Sequence, residues 1–162
     1  REAGVTIRIA SSRTDWDAYF SLYEKSLQRW GQNTTSRYPR PLFDQCATLP
    51  SASMHLWVAE HDGRMAAGYI AFYHGRHAGI WHGASDPELY RLGAVQALYA
   101  HMIADAASRQ FTVFDLLGSG GIASLEAFKK SFGADTLSYV SSLHRTGVIG
   151  LIARSVSRRR RS

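Results

Sequence analysis

The sequence has 162 residues, the size of one ordinary domain with room for a sizeable core. Its 45% hydrophobic, 12% aromatic and 20% charged residues exclude a disordered chain, and no apolar run approaches the roughly 20 residues that span a bilayer. A single cysteine, Cys46, excludes an internal disulfide and a cysteine-built metal site. Arg1 to Thr6 have neither the apolar core nor the cleavage pattern of a secretory signal, so a reducing, cytoplasmic setting is expected.

The net charge is +6, from 19 Lys and Arg against 13 Asp and Glu. Arg154 and Arg158 to Arg161 place five positive charges in the last nine residues and leave the remainder almost neutral. The excess therefore belongs to a tail, residues 158–162, following a single domain over residues 1–157. Such a tail is either a solvated terminus or a contact to a polyanion such as tRNA or anionic lipid.

Val5 to Ala10 alternates like a half-buried strand. Thr14 is placed to cap an amphipathic helix in which Trp16, Tyr19, Tyr23, Leu27 and Trp30 recur at helical spacing up to Gly31. The polar segment Gln32 to Pro41 predicts a loop, followed by a short helix over about Leu42 to Leu49. Three runs, Met54 to Glu60, Met65 to His74 and His77 to Gly83, are separated by Asp62-Gly63 and Gly75-Arg76, which predicts an antiparallel meander.

Ser85-Asp86-Pro87-Glu88 marks a helix start, and the stripe Leu92, Val95, Leu98, Tyr99, Met102, Ile103 and Ala106 carries the helix to about Arg109, with Gly93 able to split off a first short turn. Phe111 to Leu117 then predicts a buried strand, Gly118 to Gly121 a break, and Ser124 a cap for a helix ending near Gly133. Thr136 to His144 predicts a last strand, with a basic terminal helix after it. This order predicts an α/β layered fold with a mixed central sheet flanked by helices; an α+β sandwich without a cleft is the rival.

The sharpest chemical anomaly is Lys129, which sits in the apolar stripe Leu125, Phe128, Lys129 and Phe132. Either its stem runs along the core edge to water, or its ammonium enters a cleft to meet an anionic oxygen. Asp115 ends the strand before the Gly-rich turn. A ligand role there competes with acceptance of backbone amides from that turn. The Gly118 to Gly121 turn, with Ser119, offers amides to a phosphate but lacks the Lys-Ser/Thr ending of a P-loop. His74, His77 and His82 lack a nearby acidic or cysteine ligand, so no metal site is expected. His82 remains as a proton acceptor near the sheet centre. No Gly-x-Ser-x-Gly elbow supports a hydrolase.

Two segments, WHGASDPELYRLGAVQALYAHMIADAASRQFTVFDLLGS from Trp81 to Ser119 and LEAFKKSFGA from Leu125 to Ala134, resemble the Fem-type aminoacyltransferases, which have the GNAT-like acyltransferase fold. The matching points are Gly83-Ala84-Ser85, Arg91, the Ile103 to Ala107 helix, Phe114-Asp115, Phe128-Lys129 and Phe132-Gly133. The resemblance implies acyl transfer to an amine, with aminoacyl-tRNA as donor and a peptidoglycan-precursor peptide as acceptor in the best-known members; wider relatives are acetyltransferases. It places Phe128 and Lys129 at the transfer site, and Ser85, Arg91, Asp115 and Ser119 among substrate contacts. Lys129→Ala is then expected to keep the fold and lose transfer.

Fem-type enzymes usually contain two such units, whereas this chain has room for one, resembling the second. Tyr90-Arg91-Leu92-Gly93-Ala94-Val95 does not satisfy the ordinary GNAT pyrophosphate loop, Gln/Arg-x-x-Gly-x-Gly/Ala, which turns the expected donor toward aminoacyl-tRNA rather than acyl-CoA. An acetyl-CoA-dependent N-acetyltransferase is the alternative within the fold. A non-catalytic unit that recruits a polyanion through its tail is the alternative outside it. No permanently bound cofactor is expected in any of these readings.

Overall fold

The computed structural model describes residues 4–31, 37–50 and 52–138. Its elements follow the order β1 (Thr6–Ile9), α1 (Arg13–Trp30), α2 (Arg40–Cys46), β2 (Met54–His61), β3 (Arg64–His74), β4 (His77–Ser85), a 3₁₀ helix (Pro87–Leu92), α3 (Ala94–Ser108), β5 (Val113–Asp115) and α4 (Ala123–Lys130). The five strands form one sheet in sequence order. β1 to β4 pair antiparallel, and β5 joins β4 in parallel. This is the mixed sheet expected of the α/β reading. The expected strand Thr136 to His144 lies largely outside the described residues, as do the terminal helix and the basic tail, and residues 136–138 are not part of a strand.

The meander forms because its turns suit the twist of paired strands. Asp62 and Gly63 both take positive φ, +50° and +72°, so a two-residue turn closes β2 on β3. α1 begins two residues earlier than the Thr14 cap predicts. The Ser12 hydroxyl accepts from the Asp15 amide at 3.2 Å, while the Asp15 carboxylate accepts from the amides of Ser11 and Ser12 at 2.8 and 3.1 Å. Thr14 has Asp17 at the same spacing, but Asp17 is held by Arg13 and Arg40 instead, and the reciprocal cap forms at Ser12. α2 likewise starts early, at Arg40, because Pro41 is compatible with a first turn. α4 starts after Ile122 with no side-chain cap, so Ser124 lies inside the helix.

α1 and α2 cover one face of the sheet, where Tyr19, Tyr23, Phe43, Leu56, Val58 and Ile70 are fully buried. α3 covers the other, where Leu98, Met102 and the alanines Ala94, Ala97 and Ala106 let the helix approach Trp57, Ala67, Ala71 and Tyr73 closely. Each large side chain sealed in this way contributes about 1.5–3 kcal/mol relative to exposure. Gly68 lets Tyr19 lie on the sheet: a Cβ there would stand 2.6 Å from the Tyr19 ring.

Candidate active site at the parting of two strands

Only the first three residues of β4 pair with β5: His77 with Val113, Ala78 with Phe114 and Gly79 with Asp115. Beyond Gly79 the pairing stops, because β5 ends at Asp115. The edge of β4 from Ile80 to Ser85 therefore has no β5 partner, so its backbone groups on that side are free to meet an extended ligand. β5 is shorter than the predicted Phe111 to Leu117. At its start, the amides of Thr112 and Val113 both bond the carbonyl of Arg76, at 2.9 and 3.3 Å. At its end, the Asp115 carboxylate accepts from the Leu117 amide at 2.7 Å, and Leu117 takes a φ of +61°, which turns the chain out of the sheet. Asp115 thus has the turn-forming role that competes with ligand binding in the sequence reading.

β4 also carries one extra residue. Ile70 faces His82 and Ala71 faces Ile80, which leaves Trp81 unpaired in a bulge. The bulge breaks the alternation, so the neighbours Trp81 and His82 both project onto the α1 and α2 face. Trp81 lies against Tyr38, Phe43 and Phe72, with ring centroids 5.2, 6.2 and 5.8 Å away. His82 is walled by Tyr19, Tyr23, Tyr38 and Phe43 at 5.9, 4.7, 5.6 and 5.4 Å. Burial pushes its pKa down to about 4, so the imidazole is neutral at pH 7. Its Nδ1 is hydrogen-bonded to the Tyr19 hydroxyl, and burial holds that phenol well above its ordinary range.

Lys129 faces inward, as its stripe predicts, and is 7% exposed. Its ammonium, however, meets the chain's own backbone rather than an open cleft. Nζ donates to the carbonyls of Leu117 and Gly118 at 2.8 and 3.0 Å, which ties α4 to the turn after β5. Burial lowers the Lys129 pKa, and the nearby Asp115 carboxylate partly opposes that shift. Phe128 meets Tyr99 and Phe132 edge-on on the α3 face, with ring centroids 5.0 and 5.1 Å away. Asp115, Ser119, Phe128 and Lys129 thus gather on the β5 side of the opening, while His82 lies on the β4 side and on the opposite face of the sheet. No hydrogen bond joins His82 to Lys129.

Ser85 ends β4 opposite Ala67, and Arg91 is exposed on the 3₁₀ helix. That helix is closed by Asp86, which accepts from the Glu88 amide at 3.0 Å and is held by Arg64 at 3.0 Å. Gly93, at φ +67°, then turns the chain into α3, whose first amides have no side-chain cap. The sequence reading missed Tyr19, Tyr38 and Trp81. The available signal was a tyrosine at a buried stripe position, because a buried hydroxyl needs a partner.

Among the described residues no group of three or more His, Cys, Asp or Glu side chains is placed to hold a metal ion, and no helix is long and apolar enough to cross a membrane.

The parted parallel strands, the antiparallel meander and the two helical layers define an acyltransferase fold, shared with enzymes of known structure. The ribosomal-protein-S18-alanine N-acetyltransferase of Escherichia coli superposes with a TM-score of 0.64 at 20% identity, over 80% of this chain and 76% of that one. An aminoglycoside acetyltransferase from an uncultured soil metagenomic sample, in complex with sisomicin, gives 0.66 at 14% identity, over 88% and 96%. The ribosomal-protein-alanine N-acetyltransferase of Brucella melitensis biovar Abortus 2308 gives 0.66 at 14%, over 89% and 100%. At these identities the likeness is one of fold. No functionally curated protein matches the chain in sequence. The family model described as "Acetyltransferase (GNAT) domain" matches residues 1–130, and the chain belongs to that family of acyltransferases.

Proposed function

We propose that this protein is an acyl-CoA-dependent N-acetyltransferase whose donor lies between β4 and β5. The parting of these strands after Gly79 carries the reading, because it leaves a length of free strand edge to which the amides of a pantetheine arm can bond as a short extra strand would. At the far end of β4, the uncapped amides of α3 and the exposed Arg91 suit the donor's diphosphate, although the local sequence lacks the ordinary loop pattern. Ser85 lies on the same path. The amine nitrogen attacks the thioester carbonyl, forming a C–N bond as the C–S bond breaks, and the amine's proton leaves with the thiol.

The acceptor approaches from the α1 and α2 face. A cavity of about 400 Å³ lies at the C-terminal end of α1, between Glu24, Leu27, Gln28, Gly31 and Arg37. The Arg37 guanidinium donates to the Gly31 carbonyl at 3.0 Å and keeps its charge, so Glu24 is the negative group beside it to which a cationic amine can bind. Lys129 and Asp115 shape the opposite wall, with Phe128 and Ser119 beside them. The buried, unpaired thiol of Cys46 accords with a reducing compartment such as the cytoplasm.

The Fem-type resemblance favours aminoacyl-tRNA and a peptidoglycan-precursor peptide, whereas the family match and the acetyltransferase neighbours favour acyl-CoA. A thermal-shift titration separates the two. Acetyl-CoA at about 100 times its Kd adds roughly 2.7 kcal/mol, which moves the midpoint by several degrees. A saturable shift, followed by thiol release in the presence of an amine, supports the proposal. No shift at millimolar acetyl-CoA overturns it, and aminoacyl transfer to a precursor peptide would then establish the Fem-type reading. A chain that binds neither donor would be a non-catalytic unit.

A further inference from the structure

Tyr19 and His82 stand 63 residues apart and meet because α1 packs across the bulge in β4. Tyr19 is fully buried, and the bond to Nδ1 of His82 is its hydroxyl's one hydrogen bond among the described residues. A phenol carries a single proton. If His82 donated from Nδ1, that proton would be left buried with nothing to accept it. Tyr19 therefore donates and Nδ1 accepts, which puts the proton of the neutral ring on Nε2. Nε2 has no partner among the described residues, and it is not among the nitrogens sealed from solvent. Four aromatic rings hold the imidazole in place, so the direction of that N–H is set before any ligand arrives.

We propose that the Tyr19 hydroxyl locks His82 in its Nε2–H tautomer, so that His82 meets the substrate as a hydrogen-bond donor to a carbonyl oxygen. This replaces the role of proton acceptor that the sequence suggests for His82. The burial that keeps the ring neutral at pH 7 works in the same direction, because it makes His82 a weak base. The carbonyl belongs either to the acyl group in transfer or to the acceptor. In this role Tyr19 is a positioning residue. The donor role rests on the acyltransferase reading; the tautomer does not.

The first arm of the test is long-range ¹H–¹⁵N correlation on protein labelled at histidine, with the His82 signals assigned by their loss in His82→Gln. At neutral pH, Nε2 is expected to be protonated and Nδ1 bare, and Tyr19→Phe is expected to relax the ring toward a mixture of tautomers. A protonated Nδ1 in the wild type, or no change in Tyr19→Phe, overturns the lock.

The second arm is steady-state kinetics with acetyl-CoA and an amine that the wild type acetylates. His82→Ala is expected to lose on the order of 10²-fold in kcat/KM. His82→Gln, which can donate an N–H but cannot take a proton, is expected to recover most of that loss. Recovery in kcat assigns the oxygen to the acyl group, and recovery in the acceptor's KM assigns it to the acceptor. A Gln variant as impaired as Ala overturns the donor role. A wild type that turns over no acyl-CoA overturns the acyl-CoA reading and the donor role together, while the tautomer stands or falls by the spectrum alone.

Discussion

Lys129→Met removes the ammonium but keeps most of the apolar stem, so it isolates what Nζ does for the turn after β5. Two bonds disappear, at 2.8 Å to the Leu117 carbonyl and 3.0 Å to the Gly118 carbonyl. Bonds from a charged donor are worth about 1.5–3 kcal/mol each. Two effects reduce that sum. The carbonyls lie in an exposed turn where water can replace the ammonium, and methionine escapes the desolvation that lowers the Lys129 pKa. The expected loss is therefore about 1–2 kcal/mol at pH 7, or a few degrees in Tm for a chain of this length, measured by urea denaturation and thermal melting.

The pH dependence carries a sign. The folded-state pKa of Lys129 lies below its ordinary 10.5, so between the two values the unfolded chain binds more protons, and stability from this group rises with pH through that window. A neutral amine can still donate to both carbonyls. The gap between wild type and Lys129→Met should accordingly widen as pH climbs toward 10. Equal stability at pH 7, with no gap opening as pH rises, would refute the tether. If turnover were also lost at unchanged stability, the ammonium would belong on the substrate, as the sequence resemblance implies.

Gly83→Ala should destabilise the fold by at least about 1–3 kcal/mol in urea, because a Cβ at Gly83 would overlap the Tyr69 ring, which is itself wedged against Tyr99 at 5.2 Å; a stability within 0.5 kcal/mol of wild type would show that Tyr69 is free to move. Arg8→Met should weaken the fold by about 1–3 kcal/mol at neutral pH, because Arg8 forks onto both Asp15 and Glu60 and its loss strands the buried Asp15. The Arg8 bond holds the Asp15 carboxyl well below its ordinary 3.8, so that stability is fully present above this value and is lost progressively as pH falls below it, through the lower folded-state pKa. Acid titration of unfolding should find the two proteins converging below pH 4, and a constant gap down to pH 2 would refute the assignment.

What was legible in the sequence is what short-range chemistry decides. The three meander strands and their turns could be read because a positive φ at Asp62 and Gly63 is demanded locally by a two-residue hairpin. The inward direction of Lys129 could be read because helical spacing determines which face a residue takes. Its target could not, since the accepting carbonyls come from a turn 11 and 12 residues earlier whose path depends on where β5 ends. The length of β5 was overestimated for the same reason. Phe111 and Thr112 have the composition of a strand, yet the bond from Thr112 to Arg76 and the turn at Asp115 leave only three residues to pair. The parting of β4 from β5 is a property of register between distant segments, and no local pattern records it.

The bulge at Trp81 shows why a site can be hidden in a strand whose existence is obvious. Regular alternation from Ala78 and Ile80, which face α3, would send Trp81 to the α1 face and His82 back toward α3. One extra residue reverses that for His82 and for the residues beyond it, so that Gly83 meets Tyr69 on the α3 side and Ala84 packs with the α1 layer. The same insertion leaves Trp81 without a partner in β3, just beyond the last β5 pairing at Gly79. The position at which the strand edge becomes free and the position at which two aromatic side chains turn to one face are thus two consequences of the same few residues. On the proposed acyl-CoA reading, the donor lies along the open edge of β4 and the acceptor crosses its α1 face, the face to which the bulge turns His82.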